Sequence, residues 1–410
     1  MQPKDFGANS PGRLEGTEIA VTRVRMGVPQ TEMVRGIAFV PNPLPPSLDW
    51  RGLIGRVWDV LIHAERQLAR LDAMSMLLPN PGLLLRPLMM REAVQSSEIE
   101  NTIATLEEVA LQRAGVQLDR EDPLEVANYV EALDHGLRSD YPFGPQLLHE
   151  MHTQLLKGVR GEGKLPGRFR AEQNLIGREG DTLDSCRYVP PPAGATLESA
   201  MRGLFAFLND APDEIPRLIS VALAHYQFEA IHPYRDGNGR IGRLLNTLAL
   251  CRYKLVAQPA VYVSGYFERR RQAYYDHLLA VSTRGDWEAW IRFFLEAIAV
   301  QSADAGQRVE ALAALRDEYH RRVASPRMAS LTRTLIDRLF DSPVLTVQDV
   351  CRLLRVTDTA ARRHVEALLS TGVLEELEGS KRPRGYICRE ILRVAEGRSA
   401  APFTGPKRRR

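Results

Sequence analysis

The chain has 410 residues, 44% of them hydrophobic and 26% charged, which at roughly 100–200 residues per domain supplies two to four domains and excludes wholesale disorder. Lys plus Arg number 54 against 51 Asp plus Glu, a formal +3 that identifies no partner. No apolar run reaches the ~18 residues of a membrane span, MQPKDFGANSPGR lacks the apolar core of a secretion signal, and Cys186, Cys251, Cys351 and Cys388 form no CxxC pair, so a cytoplasmic, multi-domain protein with reduced thiols is expected.

Residues 1–48 are rich in Pro and Gly and end in PNPLPPSLDW, which predicts an extended N-terminal arm over 1–50. From Arg51 the apolar residues Leu53, Val57, Val60, Leu61, Ala64 and Leu68 recur at three- and four-residue steps, the signature of an amphipathic helix. A second helix is predicted from Pro87 through Leu106, which makes 51–120 an N-terminal helical region. A larger core over 121–302 takes in helices at 126–137, 145–156, 197–208, 217–230, 240–253, 269–281 and 287–300. Within it, GEGKLPGRFRAEQNLIGREGDTLDSCRYVPPP brackets two short strand-like pieces with Gly and Pro and predicts a hairpin. A polar helix makes 303–325 a helical linker, ending at Ser325-Pro326. The body is expected to be mainly α.

The chemistry concentrates in His232-Pro233-Tyr234-Arg235-Asp236-Gly237-Asn238-Gly239-Arg240-Ile241-Gly242-Arg243, between two apolar helices. Gly237 and Gly239 let backbone N–H groups approach a ligand closely. Arg240 opens a helix, whose N-terminus attracts phosphate, and Arg243 lies on the same face. Asp236 offers a hard oxygen suited to Mg²⁺ that shares phosphate oxygens. His232 titrates near neutrality and is placed to accept a hydroxyl proton. An anion cradle, a metal ligand and a general base together point to nucleotidyl or phosphoryl transfer. Lys157 and Lys164 lie in no Walker-type loop, and no HExxH or Cys/His cluster points to zinc.

The whole string resembles the signature of the Fic family, HPF-x-(D/E)-GNGR-x-x-R, with Tyr234 in place of Phe. The resemblance implies a Fic-type helical bundle with a β-hairpin flap, and an enzyme that transfers AMP from ATP to a Ser, Thr or Tyr hydroxyl of a target protein or of itself. It casts His232 as the base and Asp236 as the Mg²⁺ ligand. Gly237, Asn238, Gly239 and Arg240 become the anion hole, and Arg243 the holder of the terminal phosphate. Relatives that phosphorylate instead carry Lys at the position of Gly239, so AMP transfer is expected here. Upstream, Ser96-Ser97-Glu98-Ile99-Glu100-Asn101 resembles the family's inhibitory motif, (S/T)-x-x-x-E-(G/N). Ser96 and Glu100 stand one helical turn apart, and the carboxylate of Glu100 would pair with the Arg243 guanidinium and displace the γ-phosphate. Whether Glu100 also supports AMP removal stays open. The hairpin at 174–192 resembles the family's flap, anchored by Gly167, Arg168, Phe169 and Arg170 and by Ile176 and Gly177, on which an extended target segment would pair. Gln227 and Tyr274 match positions that line the nucleotide pocket in relatives. Homodimers are common among relatives.

From Leu331 to the end there are 16 Lys/Arg and 10 Asp/Glu, a net +6 that leaves −3 for the remainder. Residues 326–398 read as helix, helix, turn, helix and two short strands, which resembles a winged helix-turn-helix, and 399–410 as a basic tail. In that reading Arg362 and Arg363 lie on the helix that enters a DNA groove, and Lys381, Arg382 and Arg384 touch phosphates at the wing. Protein docking is the competing use of such a module. A second functional reading therefore stands beside the enzyme: a DNA-binding transcriptional regulator whose Fic core senses a nucleotide.

Overall fold

The computed structural model describes residues 3–25, 28–160, 162–177, 185–323, 329–377 and 384–398. In place of an extended arm, Gly12–Arg25 (β1) and Val28–Pro41 (β2) pair antiparallel in a register running from Gly12↔Pro41 to Arg25↔Val28. Both segments alternate and are rich in Val, Ile and Thr, which suits strands despite the neighbouring Pro and Gly. Buried Ile19 and Ala38 pack with Cys186 and Val189, flanked by Val34 and Leu175. The Phe39 N–H donates to the Val189 carbonyl at 2.9 Å. The hairpin thus packs on the base of the predicted flap, where Ile176 and Tyr188 form an antiparallel bridge.

Helices follow in the order Trp50–Met76 (α1), Pro81–Leu84 (α2), Arg86–Ile99 (α3), Leu106–Arg113 (α4), Asp122–Arg138 (α5), Pro145–Leu155 (α6), Ala195–Asn209 (α7), Arg217–Ile231 (α8), Asn238–Arg252 (α9), Ser264–Arg269 (α10), Arg271–Arg284 (α11) and Trp287–Arg322 (α12). Two differ from the sequence expectation for identifiable reasons. The helix expected to reach Leu106 ends at Ile99, because Glu100 caps it and Asn101 turns left-handed at φ 63°, a conformation Asn tolerates. Thr105 and Glu108 then form a reciprocal capping box that starts α4. The polar linker helix is continuous with its predecessor as α12, since neither Gly nor Pro interrupts the joint at Gln301-Ser302.

The chain divides into two compact units. The first comprises 1–66, 131–255 and 263–300. At its centre α8 is buried almost all round, from Leu218 to Ile231, as expected of a helix apolar on every face. It packs against α7 and α9, and the indole N–H of Trp290 donates to the Ala222 carbonyl at 2.9 Å.

The second unit comprises 67–130, 256–262 and 301–410. It holds α2 to α4 and a C-terminal module built from Ala329–Leu339 (α13), Val344–Thr346 (β3), Val347–Leu354 (α14), Asp358–Ser370 (α15), Glu375–Glu376 (β4), Gly385–Ile387 (β5) and Arg389–Glu396 (α16). The three strands lie antiparallel in the order β3-β5-β4. Thr346 and Asp349 make a capping box for α14, and the Thr357 hydroxyl caps α15. Helix α16 packs on α3 and α4. There Arg389 forks onto both Glu107 oxygens at 3.0–3.2 Å and reaches Glu375 at 2.6 Å. Among the described residues no helix is long and apolar enough to cross a membrane.

Candidate active site

Helix α8 stops at His232, which takes a left-handed conformation (φ 50°, ψ 61°) while its N–H still donates to the Phe228 carbonyl at 2.9 Å. Pro233 follows and cannot extend the helix, because it lacks an N–H. The imidazole of His232 is half-buried. The loop closes at Gly237, left-handed at φ 76°, and α9 begins at Asn238. Asn238 staples the loop shut: its Oδ1 accepts the Tyr234 N–H at 2.7 Å and its Nδ2 donates to the Tyr234 carbonyl at 2.8 Å. Asn174 donates to the same carbonyl at 2.8 Å. A turn closed by its own side chain leaves the first-turn N–H groups of α9 directed outward, where an anion is favoured.

Tyr234, the one departure from the Phe of the motif, is fully buried. Its ring stacks on His152 with centroids 3.8 Å apart and planes 10° apart. Its hydroxyl meets His149 Nδ1 at 3.1 Å. A phenol buried here finds the partner it needs, so the substitution comes with its own hydrogen bond.

Arg170 ties the loop to the flap. Its Nε donates to the His232 carbonyl at 2.9 Å, Nη1 to Glu172 at 3.1 Å and Nη2 to Pro191 at 2.5 Å, while its own N–H donates to the Pro233 carbonyl at 2.9 Å. Burial brings this guanidinium down to about 10, so it stays charged at neutral pH. Tyr188, across the bridge from Ile176, donates its hydroxyl to the Ala230 carbonyl at 3.0 Å.

Asp236 is half-buried. Its Oδ1 accepts the Gly237 N–H at 2.7 Å and its Oδ2 accepts Lys164 Nζ at 2.8 Å, with Arg240 Nη2 3.8 Å from Oδ1. Burial alone would raise its pKa. The Lys164 hydrogen bond and charge, Arg240 and the Gly237 amide outweigh that and hold the carboxyl below its ordinary value. An ionised carboxylate that already accommodates a cationic ammonium fits a Mg²⁺ brought by a triphosphate, which needs only one or two protein carboxylates. Among the described residues no group of three or more His, Cys, Asp or Glu could hold a metal alone.

Arg240 and Arg243 are 3% and 1% exposed. His225 lies behind Arg243, its Nε2 on the Tyr274 hydroxyl at 2.8 Å and its Nδ1 on Asn246 at 3.1 Å. Burial, then the Arg243 charge, holds its pKa at about 3. The imidazole is therefore neutral and adds no positive charge next to Arg243.

The remaining predicted positions fall out differently. Tyr274 is 1% exposed and stacked on Phe267 at 4.4 Å. Its hydroxyl meets His225, which holds the ring within the core. Gln227 is buried and donates to the Asn42 carbonyl at 3.0 Å, holding the segment after β2. Ile176 sits in the flap bridge and Gly177 is exposed beside it. Ser96 is buried within α3, and Glu100 is the exposed residue at its C-terminal cap. Arg362 and Arg363 are exposed on α15, Arg362 paired with Asp358 at 2.6 Å, and Arg384 pairs with Glu376 at 3.1 Å. Lys381 and Arg382 lie outside the described residues. Sequence reasoning gave His149, His152, Lys164 and Asn174 no part in the site. The His149/His152 spacing, three apart in LHEMH, places both imidazoles on one face of α6 and is the signal that could have found two of them.

The first unit is mainly α, with the loop between α8 and α9 closed at the mouth of a helix. Residues 142–250 match the Fic/DOC family, and residues 58–138 match the Fic/DOC family N-terminal region, so the chain carries both domains of that family. It is 32% identical over 149 residues to a protein adenylyltransferase Fic of Aedes aegypti, covering 36% of this chain and 26% of that protein. To the Drosophila willistoni protein of the same name it is 29% identical over 200 residues, covering 46% and 36%. The chain thus spans about a quarter to a third of the curated relatives it matches. A Fic family protein from Desulfovibrio desulfuricans G20 shares the fold with a TM-score of 0.54 at 22% identity, over 85% of this chain and 98% of that one.

Proposed function

We propose that this protein is an autoinhibited protein adenylyltransferase that uses ATP and Mg²⁺. The observation that carries the reading is one loop bringing together a half-buried imidazole, an ionised carboxylate and a helix mouth with two buried arginines. A hydroxyl oxygen of the target forms a bond to the α-phosphorus of ATP, and its proton passes to His232. The bond from the α-phosphorus to the bridging oxygen breaks, and pyrophosphate leaves. Gly237, Asn238, Gly239 and Arg240 stabilise charge on the phosphates through N–H groups and a guanidinium that need no reorganisation. Arg243 holds the terminal phosphate. Mg²⁺ on Asp236 would supply charge neutralisation of the triphosphate. The target segment pairs along the flap.

Glu100 holds this enzyme at rest by pairing with Arg243, so that the γ-phosphate finds its guanidinium taken. A charge-assisted bond of about 1.5–3 kcal/mol is strong enough to set the resting state and weak enough to be displaced. Mass spectrometry of Glu100→Gly protein with ATP, Mg²⁺ and cell lysate tests the reading. AMP adducts on Ser, Thr or Tyr should rise well above wild type. In Glu100→Gly/His232→Ala they should fall by about 10²–10⁴-fold, the usual size of general-base catalysis. Adducts that persist without His232 would remove the mechanism; equal labelling with and without Glu100 would remove the inhibition.

A further inference from the structure

The side chain of α6 most committed to the loop is His152, which is fully buried. Its Nδ1 lies 2.9 Å from the Gly167 N–H, which can only donate. Nδ1 is therefore the acceptor and Nε2 carries the proton. That Nε2–H meets the Asp236 carbonyl at 2.9 Å. The ring cannot swing away, being stacked on Tyr234, whose hydroxyl is held by His149. Gly237 lies against the same ring: a Cβ there would stand 3.3 Å from Leu155 Cδ2 and 3.5 Å from His152 Nε2.

The consequence runs through the peptide joining Asp236 to Gly237. A peptide unit is planar, so fixing its carbonyl fixes its N–H as well. That N–H holds Asp236 Oδ1 at 2.7 Å. One imidazole thereby ties the segment entering the flap, at Gly167, to the plane that aims the Asp236 carboxylate.

We propose that His152 is a positioning residue for the adenylyl-transfer site, setting the Asp236–Gly237 peptide plane, and through it the carboxylate, by its Nε2–H. This rests on the function proposed above, so the reference is Glu100→Gly protein, with three changes made in it. His152→Phe keeps a flat ring against Tyr234 and loses both hydrogen bonds. His152→Gln can restore the donor to Asp236, and His152→Asn the acceptor for Gly167. With His152→Phe, kcat should fall about 10–100-fold, the size of a misplacement near 1 Å, with KM for ATP changed far less and more Mg²⁺ needed for half-maximal rate. His152→Gln should recover most of the rate and His152→Asn should not. Hydrogen exchange without nucleotide supplies a readout independent of turnover: the Gly237 amide should exchange faster in His152→Phe and slow again in His152→Gln. A reference protein that transfers no AMP defeats the functional reading, while the exchange data still decide the positioning. Unchanged Gly237 exchange in His152→Phe, or rescue by Asn as good as by Gln, overturns the proposal.

Discussion

In the first unit Arg170 is buried, and its side-chain donors end on backbone carbonyls of His232, Glu172 and Pro191. In the C-terminal module Arg362 is exposed and lies against Asp358, one helical turn away. The first guanidinium gives up its water and in return fixes three separate stretches of chain; the second keeps its water and fixes almost nothing. Arg240 and Arg243 belong with the first kind, at 3% and 1% exposure, so an arriving phosphate meets a charge little screened by solvent. A nucleic-acid phosphate reaching the C-terminal module would first have to displace Asp358 from Arg362 and Glu376 from Arg384. The contrast separates arginines that shape a loop from arginines that sit on a helix surface.

The contrast is sharpest, and most easily broken, at Arg170. Arg170→Ala should destabilise the protein by about 3 kcal/mol or more, since several buried carbonyls lose their donor at once, and Arg170→Lys should not restore it because a single ammonium cannot reproduce the fork. Denaturant unfolding measures this, and a loss no larger than that of an ordinary surface substitution would refute it. A pH titration of stability comes next. His225 is held at about 3 against an ordinary value near 6.5, so the unfolded chain takes up a proton first. Its contribution is complete above about pH 6.5 and is lost on acidification at about 1.4 kcal/mol per pH unit, levelling off near the folded value. Tm should fall from pH 6.5 to 4.5, and His225→Gln should flatten that slope. The smallest effect belongs to the exposed pair: Arg362→Ala should leave Tm unchanged within error, and a clear drop would mean that the module uses this residue structurally.

Much of the site can be read along the chain because its parts are contiguous. Asp236, the left-handed glycine and the helix start at Asn238 all lie within twelve residues, and local chemistry dictates each. The chain breaks α3 at Glu100 instead of running on to Leu106, because Thr105 and Glu108 cap a new helix. The N-terminal hairpin was obscured by the Gly and Pro around it; its strands gain their reason to form from Cys186 and Val189, far along the chain. The contacts of Gln227 and Tyr274 are hidden for a related reason. Their side chains are taken by Asn42 and His225, and no spacing reveals those partners.

The amino-acid order by itself settled the helical class of the body and the turn chemistry between α8 and α9. Those depend on neighbours within a turn or two, where backbone propensity and side-chain reach decide. Folding alone decided which groups hold that loop in shape: His152 from α6, Arg170 and Asn174 from the approach to the flap, and a buried Tyr234 matched to His149. These contacts span roughly sixty to eighty-five residues of chain. Over such separations only the closing of the core, with its demand that every buried polar atom find a partner, selects which residues meet.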